Sequence, residues 1–219
     1  MIKENVTEVL KELENGNNLG EKINLVLATK TQSVEKINEA IQAGAKIVAE
    51  NRVQEFNLKH PFLHGAEEQF IGSLQTNKVK YLIGKVSLIQ SCDRLEIVDE
   101  IAKQSINKKV ITNVLLEINI GGETSKSGFN PKDALTAYDY AEKLDGICVK
   151  GLMAMLPLNA TEKENAKMCL QMREIYDIIK EKNENITYLS VGMSEDYHTA
   201  IKNGSNMIRL GSRIFGKRA

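Results

Sequence analysis

A chain of 219 residues, 42% of them hydrophobic, can bury a sizeable core, which excludes a disordered protein. Its 29 basic and 29 acidic residues cancel, so the basic excess of a general nucleic-acid binder is missing. No run approaches the roughly 20 apolar residues of a membrane span, and an N-terminus carrying Glu4, Glu8, Glu12 and Glu14 fits neither a secretory signal nor a transit peptide. Cys92, Cys148 and Cys169 are odd in number and widely spaced. They form no CxxC pair and read as reduced, mostly buried thiols of a cytoplasmic protein. His60 and His64 stand four apart, but Pro61 breaks the helix that would align them on a metal. A loop or surface place is expected for both, and a helix surface for His198.

The pattern alternates short β-like runs with longer helical ones. A leading helix spans about 3–15. Ile23 to Thr29 reads as a buried strand, and Ser33 caps a helix with apolar Val34, Ile37, Ala40 and Ile41 at spacings of three and four. Ile47–Ala49 is a second strand, followed by a short helix from Asn51. Phe70–Gly72 is a third, with a helix near 75–83. Val86–Gln90 is a fourth, and Asp93 is the expected N-cap of the next helix. Thr112–Asn119 reads as the longest strand. After a polar loop, Pro131 opens a helix at a favoured first-turn position. Ile147–Leu152 is the sixth strand, before a long helix over about 162–183. Thr187–Val191 is the seventh, with Ser194 expected to cap the helix after it. Met207–Leu210 is the eighth, and Gly211 and Ser212 lead into a short last helix.

Eight strand–helix units without a linker predict an α/β fold, a single-domain TIM (β/α)8 barrel over residues 1–219 with an extra N-terminal helix. An open doubly wound sheet is the rival, but no GxGxxG follows the first strand. In such barrels the active face is the carboxyl end of the strands. Lys30 ends strand one, Asn51 follows strand two, and Gly192-Met193-Ser194 follows strand seven. Arg209, Gly211 and Ser212 lie at or after strand eight. Lysine, arginine and Gly/Ser turns beside helix N-termini suit a phosphate-bearing ligand. Each has a plainer reading. A strand-end lysine is usually solvated, Asn51 fits an N-cap, and Arg209 fits an ion pair. Lys30 stands out because a burial-prone strand precedes it, and burial favours the neutral amine that attacks aldehydes.

Specific stretches then carry a resemblance. They are Leu27-Ala-Thr-Lys-Thr31, Glu50-Asn-Arg-Val-Gln-Glu55, Phe70 to Lys80, Ser91-Cys-Asp-Arg94, Glu117 to Gly128, Lys150 to Ala154, Gly192-Met-Ser194 and Gly204 to Gly216. In this order, over nearly the whole chain, they resemble the pyridoxal phosphate homeostasis proteins, whose fold is like the barrel domain of alanine racemase. The resemblance implies pyridoxal 5′-phosphate (PLP) bound as a Schiff base on Lys30. It implies phosphate contacts from Ser194, Gly211 and Ser212, Arg209 facing the pyridine nitrogen, and Asn51 lining the cofactor. Lys78 and Lys80 are the next lysines to consider. Gln69 departs from the family, which often has histidine there.

The resemblance further implies a role in intracellular PLP homeostasis and in the balance of amino-acid and keto-acid pools, with no established catalytic activity, and a cytoplasmic monomer is expected. A separate non-catalytic reading is a module that passes PLP to PLP-dependent apoenzymes. An arginine at the pyridine nitrogen keeps it unprotonated, which weakens PLP as an electron sink. Racemases of this fold need an opposing base from a second domain, whereas this chain stops at Ala219 and its six tyrosines lie within barrel units. A small racemase-like PLP enzyme is the alternative.

Overall fold

The computed structural model of the chain describes residues 1–123 and 127–216. Eight strands close into a barrel in sequence order: β1 (Asn24–Ala28), β2 (Ile47–Glu50), β3 (Glu67–Phe70), β4 (Leu88–Cys92), β5 (Thr112–Ile118), β6 (Ile147–Ala154), β7 (Tyr188–Val191) and β8 (Met207–Leu210). Each pairs in parallel with its neighbours, and β1 closes on β8 through Asn24↔Met207 to Leu27↔Leu210. The TIM-type barrel expected from the alternation is therefore the fold. The helices are α1 (Ile2–Glu12), α2 (Val34–Gln42), α3 (Val53–Lys59), α4 (Leu95–Lys108), α5 (Ala134–Ala141), α6 (Glu162–Lys182), α7 (Tyr197–Lys202) and α8 (Ser212–Phe215). The extra helix α1 packs outside the barrel against α2 and α8, where Asn5 Nδ2 donates to Ile214 O at 2.8 Å.

Local chemistry explains most elements. Ser33 accepts from the Lys36 N–H at the start of α2, and Thr161 with Glu164 makes a full capping box on α6. Pro131 opens a 3-10 turn that runs into α5. Several boundaries differ from the sequence expectation. β3 begins at Glu67 because its two glutamates pair with Ile47 and Val48 of β2 while the Glu67 side chain is exposed and the Glu68 carboxylate is paired with His60. β4 runs on to Cys92, since Ser91 turns its hydroxyl onto Gly72 O at 2.6 Å and so is satisfied inside. The unit after β3 carries a 3-10 helix, Thr76–Tyr81, rather than an α-helix. Asp93 does not cap α4. The Arg94 guanidinium takes its carboxylate at 2.6 Å, and the helix starts at Leu95. The longest strand is β6, because Met153 and Ala154 continue the pairing onto β7.

The apolar core lies in two places. Inside the barrel, Val26, Ala49, Leu88, Leu115, Met153 and Met207 meet. Between barrel and helices, larger side chains such as Phe56, Phe70, Ile97, Leu152 and Tyr176 are fully buried. Burying each is worth roughly 1.5–3 kcal/mol. The interior also holds a polar ladder. Gln90 Nε2 donates to Gln69 Oε1 at 2.7 Å, and Ser190 Oγ donates to Gln90 Oε1 at 2.7 Å. Gln69, where the resembling family often has histidine, is thus a structural rung of the barrel. Cys92 and Cys169 are buried free thiols and Cys148 is half-buried. Burial pushes the Cys169 thiol up to about 12. His60 stacks on Phe56 and pairs with Glu68 at 2.7 Å. Among the described residues, no helix is long and apolar enough to cross a membrane.

Candidate functional site

A cavity of about 420 Å³ opens at the carboxyl end of the strands. It lies on the side where β1, β7 and β8 meet, and Lys30, Ser194, Arg209, Gly211 and Ser212 line it together. Five residues expected from the sequence, drawn from three distant stretches, thus converge on one volume. Asn51 is not among the lining residues. It follows β2, half-buried, with its Oδ1 buried and without a hydrogen-bond partner among the described residues. Gly72 presses on it so closely that an added Cβ would lie 1.9 Å from Asn51 O, so the end of β3 packs backbone against backbone there. Lys78 and Lys80 lie away from the cavity, on the 3-10 helix, with their ammonium groups 5.8 and 5.2 Å from the Tyr81 ring. Ser125 and Lys126 of the quoted Glu117–Gly128 stretch fall outside the described residues.

The β7–β8 flank is built from backbone and hydroxyls. Gly192 has φ +109°, and a side chain there would strike Ala200 Cβ at 2.9 Å. Only glycine makes this turn while α7 packs so close. Ser194 does not cap α7, whose N-cap position is held by Asp196. Its Oγ instead accepts from the N–H groups of Gly211 at 3.4 Å and Arg213 at 3.3 Å. Ser194 therefore ties the turn after β7 to the start of α8. That link joins two elements 17 residues apart in sequence, which is why an N-cap reading of the local pattern misassigned it.

Arg209 is buried on β8, 5% exposed, and braces the interior. Nη1 donates to Ser190 O at 2.8 Å and Ser190 Oγ at 2.6 Å, and Nη2 donates to Ala154 O at 2.9 Å. It thus crosslinks β6, β7 and β8 while also lining the cavity. Burial pulls its pKa down to about 10, against the opposing charges of Glu117 and Asp196, so it stays protonated at neutral pH. Burial, and then repulsion from Asp93, push the Glu117 carboxyl up to about 7, with Arg209 acting against them. Asp196 is also raised by burial, despite accepting the Met193 N–H at 2.6 Å.

Sequence reasoning missed two kinds of residue. Asn165, on α6, lines the cavity, and its buried Oδ1 has no hydrogen-bond partner among the described residues. An asparagine on a polar helix face carries no signal of that. Lys59 is the second case. It reads as an ordinary basic residue in the last turn of a short helix, yet it is 9% exposed and bonded to Glu50 at 2.5 Å and Glu55 at 3.1 Å.

Residues 3–219 match the family model of the alanine racemase N-terminal domain. The chain is 40% identical over 197 residues to the pyridoxal phosphate homeostasis protein of Aquifex aeolicus, covering 89% of this chain and 86% of that one. It is 37% identical over 226 residues to the protein of the same name in Haemophilus influenzae, covering 100% and 93%. Among solved structures, PipY of Synechococcus elongatus without PLP superposes with a TM-score of 0.89 at 25% identity, covering 99% of this chain and 100% of that one. Its PLP-bound form shares the fold, with a TM-score of 0.87 at 24% identity and the same coverage. By sequence over nearly its full length, the chain belongs to the pyridoxal phosphate homeostasis proteins, within the family of the alanine racemase N-terminal domain.

Proposed function

We propose that this protein binds PLP in the cavity between β1 and β8, with Lys30 as the covalent anchor, and serves intracellular PLP homeostasis rather than catalysing a reaction. The observation that carries this reading is the convergence of Lys30, Arg209, Ser194, Gly211 and Ser212 on one volume. The cavity volume lies within the usual range for small-ligand sites, and the donor set suits the cofactor. An amine, a guanidinium, two hydroxyls and backbone N–H groups answer an aldehyde, a ring nitrogen and a phosphate. Asn165 Oδ1 offers a further acceptor. The names of the relatives support a role in PLP homeostasis.

When bound, PLP would supply an electrophilic aldehyde that a lysine amine can hold covalently. The chain's own residues do the rest. Lys30 supplies the amine from the turn after β1. Gly211, Ser212 and Ser194 present N–H and hydroxyl donors to a phosphate, where charge-assisted bonds are strong. Asn51, which follows β2 outside the cavity lining, would reach the cofactor only through its unpartnered buried Oδ1. Arg209, protonated at neutral pH, would donate toward the pyridine nitrogen and leave that nitrogen unprotonated. A weak electron sink follows, and favours holding over reacting. The buried free thiols fit a reducing, cytoplasmic setting. Leu158, 79% exposed at the cavity rim, leaves an apolar spot where a recipient apoenzyme would dock.

Borohydride reduction of the PLP-loaded protein, followed by peptide mass mapping, tests the anchor. The label is expected on Lys30 and is expected to vanish in Lys30→Ala with the fold retained. A dominant label on Lys59, Lys78 or Lys80 would move the anchor elsewhere.

A further inference from the structure

The residues on either side of Lys30 are gripped by one ion network, buried at Glu50 and Lys59 and half-buried at Glu55, that the cofactor contacts do not explain. Thr29, Lys30, Thr31 and Gln32 form a turn closed by the Gln32 N–H donating to Thr29 O at 3.0 Å. Thr31 occupies its third position with φ +65°. That is the place where a type II turn wants glycine, and a β-branched residue there is a genuine outlier. Such a conformation persists only when its surroundings over-determine it. Here Glu55 Oε2 accepts the Thr31 N–H at 2.9 Å. On the other side of Lys30, Thr29 O accepts from Lys59 Nζ at 2.9 Å, and Thr29 Oγ1 donates to Glu50 Oε1 at 2.8 Å. Lys59 closes the circuit by donating to Glu50 and Glu55. The three donors of one ammonium are thereby spent on Thr29 O, Glu50 and Glu55. Burial opposes the charge on Glu55, but the Thr31 N–H and the Lys59 ammonium outweigh it and hold its carboxyl below the usual range.

A buried ion group of this kind is weak evidence for stability, because desolvation offsets the attraction. Its geometry says more. Every contact named between the network and the turn after β1 falls on the residue before or after Lys30. From this the geometry points to Glu55 and Lys59 as positioning residues for Lys30, fixing the peptide units on both sides of it so that its amine stays at the cavity. The inference rests on the reading of Lys30 as the PLP anchor.

The experiment compares wild type, E55A, E55Q and E55A/T31G with two ligands. PLP reports covalent capture by Lys30, followed by absorbance and by borohydride trapping at that residue. Pyridoxine 5′-phosphate carries an alcohol in place of the aldehyde and reports the rest of the cavity alone. E55A is expected to slow capture by roughly tenfold or more, since misplacing a reacting group by about 1 Å can cost on the order of 100-fold. Its affinity for pyridoxine 5′-phosphate is expected to be unchanged. E55Q keeps an acceptor oxygen without the charge and is expected to fall between wild type and E55A. Glycine at position 31 adopts positive φ freely, so E55A/T31G is expected to regain part of the lost rate. Wild-type capture in E55A overturns the proposal, and so does a parallel loss of both ligands. If E55A does not fold, wild-type capture in E55Q overturns the ionic clamp. No trapping at Lys30 in the wild-type chain would sink the functional reading together with the clamp, whereas trapping there with E55A unaffected sinks the clamp alone.

Discussion

On the β1–β2 flank of the cavity, three charged side chains, Glu50, Glu55 and Lys59, hold the turn that carries Lys30. On the β7–β8 flank, a glycine turn, one serine hydroxyl and backbone N–H groups face the cavity, while Asp196 accepts the Met193 N–H and Arg209 ties β8 to β6 and β7. The difference follows from what each flank presents. A phosphate is met by N–H groups already fixed to the main chain, which lose little freedom on binding. A lysine amine sits on a four-carbon stem with several rotatable bonds, and only its base can be fixed. The first flank therefore sets charged side chains on both sides of its lysine, whereas the second offers donors that already belong to its backbone.

Breaking the charged flank should cost most. Lys59→Met leaves the Glu50 carboxylate, 3% exposed, without its cation. A loss of about 3–5 kcal/mol in unfolding free energy is expected, as for a buried pair broken on one side. Urea titration checks this, and Lys59→Met combined with Glu50→Leu is expected to recover most of the loss. A single variant as stable as wild type would show that water reaches Glu50 and that the flank is not a buried ion group.

The two flanks should also differ from the barrel interior in their response to pH. Glu55 is held below the usual carboxylate range, so its stabilisation is present above pH 4.5 and is lost only as pH falls through its lowered pKa. Glu117 is shifted the other way, from 4.5 up to about 7. The folded state then keeps a proton that the unfolded chain releases, so this contribution is full below pH 4.5 and is lost as pH rises through about 7. On the order of 3 kcal/mol is expected to depend on pH in that window. Glu117→Gln should flatten the stability profile there. A profile that keeps its slope in the variant would assign the titration to another group.

The smallest effect is expected from the backbone-built flank. Ser194→Ala removes two long hydrogen bonds and, on the proposed reading, one phosphate donor. PLP affinity should fall by about 1–2 kcal/mol, roughly tenfold, while stability changes by less than about 1 kcal/mol. Calorimetric titration and thermal unfolding of the same variant separate the two. A large loss of stability with unchanged affinity would make Ser194 a structural tie only.

The legibility of these regions differed for the same physical reason that their construction does. Gly192, Ser194, Gly211 and Ser212 announce a turn and a helix start within a few residues, so local pattern found them, although it gave Ser194 to α7 instead of α8. Arg209 was visible as a charge inside an apolar strand, but its bonds to Ser190 and Ala154 were not. Lys59 carried no signal in the sequence. Its burial depends on Thr29, 30 residues earlier, and on Glu50, nine residues earlier, and no local periodicity encodes either distance.

By itself the sequence determined the order of strands and helices, because hydrophobic period and capping residues act within a turn or two of chain. It also determined which strand ends carry an amine, a guanidinium and phosphate-suited turns. Only the tertiary structure decided which of them meet. Barrel closure brings β8 beside β1 and so sets Arg209 and Gly211 around the cavity that Lys30 enters. It also decided where β3 and β4 begin and end, since parallel register is set by the neighbouring strand rather than by the strand's own residues. The ion network around Lys30 belongs to the same class. Its cost in desolvation is tolerable only where the folded chain supplies every partner at once.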